Sequence, residues 1–273
     1  MSIKRVVLMG DLHAGHLTGL TAAPWQQNLK DGISDETKRN KYSRIASALW
    51  THYDQYLKAL APIHVLVVNG DMIDGRGSRS GGTELITTDR NEQVEMAVQA
   101  INQVRLYAAR GFKVIGTYGT AYHASGDGED WENSVAKEAG FHKLGAHEWP
   151  EINGCIFDIK HHIGNTSIPH GKGTALLKTM LWNDIWAMNE MQPKARVVVR
   201  SHVHRFFECR DLEKMGLTLP ALCGMGSKFG ARICEGVVHF GLVHFDIDHH
   251  GNVVNWDVHA EPIIEQKAKT TKL

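Results

Sequence analysis

Two stretches of this chain follow one plan. Val6-Val7-Leu8-Met9 runs into Gly10-Asp11-Leu12-His13, and Val65-Leu66-Val67-Val68 runs into Asn69-Gly70-Asp71. A short apolar run bounded by a glycine reads as a buried strand. The carboxylate and imidazole that follow then lie at the rim of a sheet. In open α/β sheets ligands bind at the carboxyl ends of the strands. A chain built this way should end its other strands in Asp, His or Asn as well.

The chain taken in order supports that plan. A helix is read from the start signal at Ser34, Glu36 and Thr37, with Ile45, Leu49, Tyr53, Leu57 and Leu60 at helical spacing, and Pro62 ends it. A second helix is expected from about Asp89 to Arg110, capped by Gly111. A third strand follows over Phe112–Gly119, then a helix from about Trp131 to Ala139. The order β-α-β-α-β-α implies a parallel sheet with right-handed crossovers. Ile156–His162 reads as a strand, Gly173 to about Glu190 as a helix, and Val197–His204 as another strand running into His202-Val203-His204. Phe240–Ile247 and Asn252–Val258 alternate as strands joined by a turn at His249–Asn252.

Composition narrows the class. With 273 residues, 42% of them hydrophobic, the chain can bury a sizeable core. Lys+Arg and Asp+Glu are both 30, so no basic excess points to nucleic acid by charge alone. The four cysteines (Cys155, Cys209, Cys223 and Cys234) form no C-x-x-C pair, which argues against a zinc knuckle or redox motif. They read as thiols in a reducing compartment, and with no signal-peptide pattern and no apolar span the expectation is a cytoplasmic protein. Seventeen histidines call for a reason, and imidazole is the commonest metal ligand among side chains.

Five strand ends carry ligand-type residues: Asp11/His13, Asp71, His123, His161/His162 and His202/His204. Each alone is weak, since Asp-x-His after a strand is most often a solvated turn and alternate strand residues face opposite sides. The ordered set is the specific signal. His142, His147, His239, His244, His249 and His250 read instead as exposed or satisfied core residues. His16 and His170 are closer cases because both follow a site loop, and His52 and His64 are assigned no chemistry. Asp127, Glu129 and Asp130 read as a helix N-terminus. The glycine cluster near residues 75–82 is no P-loop, because G-x-x-x-x-G-K-[ST] is absent.

The set resembles the calcineurin-like metallophosphoesterase superfamily, whose order is D-x-H, G-D, G-N-H-[D/E], a strand-terminal His, then G-H-x-H. The matches are Asp11-Leu12-His13, Gly70-Asp71, the variant Gly119-Thr120-Ala121-Tyr122-His123, His161-His162 and Ser201-His202-Val203-His204. The Gly-Thr-x-x-His form is similar to that of phage and prophage members. The resemblance implies an α/β (α+β) four-layer αββα sandwich with the trailing strands as the second sheet, one domain over residues 1–265, and a flexible polar tail over 266–273. It implies two divalent transition metals (Mn, Fe or Zn, with Mn favoured) and a bridging hydroxide as nucleophile. Asp11, His13 and His204 would hold the first metal. Asp71 would bridge both metals through its two carboxylate oxygens. His202 and one of His161/His162, with His161 favoured, would hold the second.

Two departures follow. The family asparagine is missing, and Thr120 is a poor substitute for it as a ligand. His123 can serve as a metal ligand or as general acid, but hardly both. Ser201 replaces a glycine that is no ligand. Asp74 can hydrogen-bond a ligand histidine. Thr120, Arg76 and Arg79 are assigned to substrate phosphate, the arginines as bidentate donors. The implied activity is hydrolysis of a phosphate ester, with a phosphodiester of nucleotide or nucleic-acid type ahead of a phosphomonoester or phosphoprotein and no membrane partner. The rivals are a non-catalytic metal-binding scaffold on the same fold and a metal-dependent amidohydrolase. The amidohydrolase would show H-x-H early and Asp late, the reverse of this order.

Overall fold

The computed structural model describes residues 3–26, 36–78, 80–124, 130–166, 168–225, 237–261 and 270–272. In chain order the elements are β1 (Lys4–Met9), α1 (Ala23–Gln26), α2 (Glu36–Ala59), β2 (Ile63–Asn69), α3 (Arg90–Gln103) and β3 (Ala108–Thr117). There follow α4 (Ala121–Ala124), α5 (Trp131–Glu138), β4 (Lys143–Gly145), β5 (Glu151–Ile152), β6 (Cys155–Ile159) and α6 (Thr174–Met188). The last are β7 (Val197–Arg200), β8 (Phe207–Arg210), β9 (Met215–Thr218), β10 (Phe240–Ile247) and β11 (Val253–Glu261).

Strand alternation builds the layers. Val7 and Met9 face one side of β1 and pack with Leu66 and Val68 against Ile45, Leu49, Tyr53 and Leu57 of α2 and Val94, Ala97 and Ile101 of α3. Val6 and Leu8 face the other side and meet Phe157, Ile159, Val197, Val199 and Leu217 from a second sheet. α6 covers the far face of that second sheet through Leu176 and Met180. The order is therefore helix, sheet, sheet, helix: a four-layer αββα sandwich.

The first sheet has the order β11-β10-β1-β2-β3-β4, and the second has β5-β6-β7-β9-β8. β1 to β4 are parallel neighbours, as the β-α-β-α-β-α order implies. The trailing strands do not form the second sheet. β10 pairs antiparallel with β1 and carries β11 on its outer edge. All eight residues of β10 are buried, with Phe240 and Leu242 in the helix-side core and Val243, Phe245 and Ile247 between the sheets. A strand apolar on both faces belongs inside a sheet. The second sheet is instead built from residues 151–218.

The long helix expected to Arg110 also ends early. α3 stops at Gln103, one 3₁₀ turn covers Val104–Tyr107, and β3 starts at Ala108. Gly111 caps no helix. It lies inside β3 at φ 79°, where the register slips from Ile63↔Ala108 to Val65↔Lys113. A bulge of this kind needs a residue that tolerates positive φ. Asp130 does cap α5, accepting the Glu132 N–H at 3.1 Å. Ser34, Asp127, Glu129, Cys234 and all but 270–272 of the polar tail lie outside the described residues. No helix among the described residues is long and apolar enough to cross a membrane.

Under α6 the outer face of the second sheet is polar. Asp158 of β6 and Arg200 of β7 form a buried pair at 2.7 Å, and Asp158 also accepts from His147 at 2.8 Å and Asn183 at 3.0 Å. Burial pushes the Asp158 carboxyl up, but the His147 bond and Arg200 outweigh it and hold it below its ordinary value. The stabilisation is therefore complete above about pH 4 and is lost as pH falls through the depressed value. Asp158→Asn is expected to cost about 3–5 kcal/mol, because it leaves Arg200 buried without its charge partner. It should also flatten the acid limb of stability against pH. Urea unfolding between pH 3 and 7 measures both effects.

Candidate metal centre

The C-terminal ends of β1, β2, β6 and β7 converge on one rim between the two sheets. Five side chains there belong to residues in left-handed backbone: Asp11 (φ 51°), His13 (45°), Asp71 (49°), His202 (73°) and His204 (51°). Each left-handed non-glycine residue costs about 1–2 kcal/mol. Such strain persists only where surrounding structure imposes it, and it concentrates at functional sites.

Three groups of candidate ligand atoms result, those within each group lying within 4.8 Å of one another; one is His13, Asp74 and His123, and the other two are taken as the ligand sets. The first is Asp11, His13 and His204; the second is Asp71, His161 and His202. In the first, Nε2 of His204 lies 3.1 Å from His13 Nε2 and 3.2 Å from Asp11 Oδ1. In the second, His161 Nε2 lies 3.1 Å from Asp71 Oδ2. Asp11 Oδ1 and His161 Nε2 are both buried without a hydrogen-bond partner. Buried polar atoms are almost always paired, so two orphans aimed into one carboxylate-imidazole cluster fit divalent cations.

The remaining atoms of these residues are engaged, which fixes which atom faces inward. His161 Nδ1–H donates to the Asn69 carbonyl at 2.7 Å, and His13 Nδ1–H donates to Asp74 Oδ1 at 3.0 Å. Both bonds leave Nε2 as the ligand atom. Asp11 Oδ2 accepts the His202 N–H at 3.2 Å and leaves Oδ1. Burial acts to lower His204 and His161, but Asp11 and Asp71 outweigh it and raise them to about 9 and about 10. Burial likewise acts to raise Asp71, but His161 and His13 hold it well below the carboxylate range.

The two oxygens of Asp71 face different partners. Its Oδ1 accepts from the Thr120 N–H at 2.6 Å and the Thr120 hydroxyl at 3.0 Å. Its Oδ2 reaches both sets, 3.1 Å from His161 and 4.0 Å from His13, and Asp11 Oδ1 does so as well, 3.2 Å from His204 and 3.9 Å from His161. Thr120 thus orients the shared carboxylate. The approach is so close that a Cβ on Gly119 would lie 2.2 Å from Asp71 N and Oδ1.

His123 lies on the first set's side. Its Nδ1–H donates to the Asp74 carbonyl at 2.9 Å, and its ring meets that of His13 edge-on at 4.6 Å. It is grouped with His13 and Asp74 as a candidate metal ligand, and not with Asp71, His161 and His202. His161 is buried at 1% exposure, whereas His162 turns outward and lies beside the His202 ring at 4.8 Å. Arg76 is exposed in the loop after Asp74, and Arg79 lies outside the described residues. His16 is held by Thr18 and lies 3.7 Å from Glu84, and His170 is exposed on a 3₁₀ turn, so neither joins a ligand set.

Two supporting residues escape the sequence reading. Asn69 ties four strand ends together: Oδ1 accepts from Thr117 at 2.5 Å, Nδ2 donates to Ser201 at 2.7 Å and the Lys160 carbonyl at 3.3 Å, and its own carbonyl holds His161. Glu132 of α5 is fully buried and accepts the N–H groups of Met72 at 2.9 Å and Gly119 at 2.6 Å. It therefore clasps the Asp71 and Thr120 loops from beneath. Burial pushes its carboxyl up to about 8, with the charge of Asp71 adding to the shift and the two N–H bonds opposing it.

Fold and rim together define a four-layer αββα sandwich with paired Asp/His sets at its edge. No family model matches the chain, and no curated protein matches it. Solved structures similar to it include wild-type Vps29 from Entamoeba histolytica complexed with Zn²⁺, at TM-score 0.44 and 13% identity over 93% of this chain and 99% of that one. A novel archaeal phosphodiesterase gives 0.42 and 11% over 93% and 99%. A predicted phosphoesterase from Streptococcus pneumoniae gives 0.38 and 11% over 96% and 99%. Likeness at this level decides nothing about activity, which is argued from the geometry alone.

Proposed function

We propose that this protein is a di-metal-dependent phosphoester hydrolase whose substrates are phosphodiesters of nucleotide or nucleic-acid type. One observation supports it above the others. Two ligand sets meet across two carboxylate oxygens, Asp71 Oδ2 and Asp11 Oδ1, and each set contains a buried orphan, Asp11 Oδ1 or His161 Nε2. Two divalent ions held there would supply Lewis acidity, activating water and neutralising the phosphoryl oxygens of an in-line displacement. The residues around the rim do the rest. Thr120 fixes the rotamer of Asp71, Asp74 fixes the ring of His13, and Asn69 fixes His161. His123, with Nδ1–H on the Asp74 carbonyl, would give a proton to a leaving oxygen through Nε2–H in its imidazolium form and is left neutral afterwards.

The test is hydrolysis of bis-p-nitrophenyl phosphate and p-nitrophenyl phosphate by the Mn²⁺-loaded protein, with metal analysis alongside. About two metals per chain and faster turnover of the diester are expected. Turnover of neither ester by a metal-loaded chain overturns the hydrolase reading and leaves a metal-binding scaffold. Preference for the monoester would move the substrate class to phosphomonoesters or phosphoproteins.

His123→Ala separates two roles for that side chain. Its place beside His13 and Asp74 leads us to expect both metals retained and turnover reduced about 10²–10⁴-fold. Loss of one metal equivalent in the same preparation would make His123 a ligand.

A further inference from the structure

Around the rim from the metal sets, on the α6 side of the second sheet, lies a cleft of about 370 Å³. That is within the range of small-molecule sites, about 300–1,000 Å³. Its floor is the buried Asp158–Arg200 pair with His147 and Asn183. Its outer wall is Trp182 and Trp186, one helical turn apart on α6 and 47% and 41% exposed. Lys160 and His162 line it too. His162 also borders the metal centre, because its ring lies 4.8 Å from that of His202.

We propose that this cleft binds the nucleobase of a nucleotide phosphoester whose phosphate lies at the metal sets. Two exposed indoles at this spacing offer flat faces, and base–aromatic stacking is a strong, sequence-tolerant interaction. The floor excludes other occupants. A lipid chain or aliphatic side chain would bury Asp158 and Arg200 against hydrocarbon, a costly contact for charged groups. A phosphate alone would meet the Asp158 carboxylate and find Arg200 already paired. A planar heterocycle with donors and acceptors on its edge matches the indole wall, with Lys160, Thr179 and Gln192 on the lining beside it. The place of the phosphate rests on the hydrolase reading, whereas the base site stands on the cleft itself.

The test is a titration of the full chain, metal-free, with adenosine 5′-monophosphate and with ribose 5-phosphate, read by tryptophan fluorescence excited at the red edge. The nucleotide should quench and the base-free phosphate should not. Trp182→Ala/Trp186→Ala should weaken the nucleotide response about ten-fold or more, and Trp182→Phe/Trp186→Phe should retain affinity by a calorimetric titration. Equal responses to the two ligands, or an unchanged response in the alanine pair, would overturn the proposal. So would self-association lost in the alanine pair without any nucleotide response, which would make the wall a contact between two copies. A protein that binds the nucleotide through these indoles yet hydrolyses neither test ester would sink the hydrolase reading and keep the base site.

Discussion

Asp71→Asn is expected to abolish phosphoester hydrolysis and to weaken both metal sites together while the fold stays intact. The residue is 1% exposed, and its Oδ2 is placed between the two sets, 3.1 Å from His161 and 4.0 Å from His13. Asparagine keeps the volume and can still accept from Thr120, so the backbone at φ 49° has no new reason to move. It removes the negative charge that balances His161 and His13, and it faces one of the sets with an NH₂ group or a neutral oxygen. Metal content per chain, read by elemental analysis after dialysis, should fall from about two towards none. Far-ultraviolet circular dichroism should not change. Loss of a single equivalent would show that Asp71 serves one site, and full activity would remove it from the centre altogether.

Glu132→Ala should act from behind the site with an effect of similar rank. The substitution orphans the N–H groups of Met72 and Gly119, each next to a residue that shapes the Asp71 carboxylate. A buried donor without a partner costs about 1–3 kcal/mol, and outer partners of metal ligands commonly tune affinity by about 10–100-fold. The expected result is a metal-free protein less stable to urea by a few kcal/mol, metal affinity lower by about that factor, and turnover falling with it. Glu132→Gln keeps one acceptor oxygen and should fall between the two proteins. An alanine variant with unchanged stability and metal affinity would show that the two loops hold themselves in place.

The ligand sets were legible because their signals are local. Asp11, His13, Asp71, His202 and His204 each follow an apolar run by one to a few residues, and a strand end delivers them to a rim wherever the strand sits in its sheet. The preference for His161 over His162 came from the family resemblance, and alternation along the chain gives the two imidazoles opposite faces. What failed was long-range. Nothing near Phe240–Ile247 says that it pairs with β1 across more than two hundred residues, although its near-continuous apolar character marks a strand buried on both sides. Glu132 was invisible for another reason. On a helix its neighbour Asp130 is a cap, and no spacing distinguishes a carboxylate that turns inward to hold two loops from one that points to water. Asn69 was hidden inside the motif itself, where an amide before Gly-Asp reads as part of the turn.

The left-handed residues at the rim have an evolutionary consequence. Glycine would occupy every one of those positions at lower conformational cost, so selection for the stability of the metal-free chain alone would tend to erase the ligands one by one. On the proposed reading, a chain that carries Asp11, His13, Asp71, His202 and His204 together trades folding free energy for coordination. On that reading, a chain of this fold with glycine at all five positions is expected to hold no metal there.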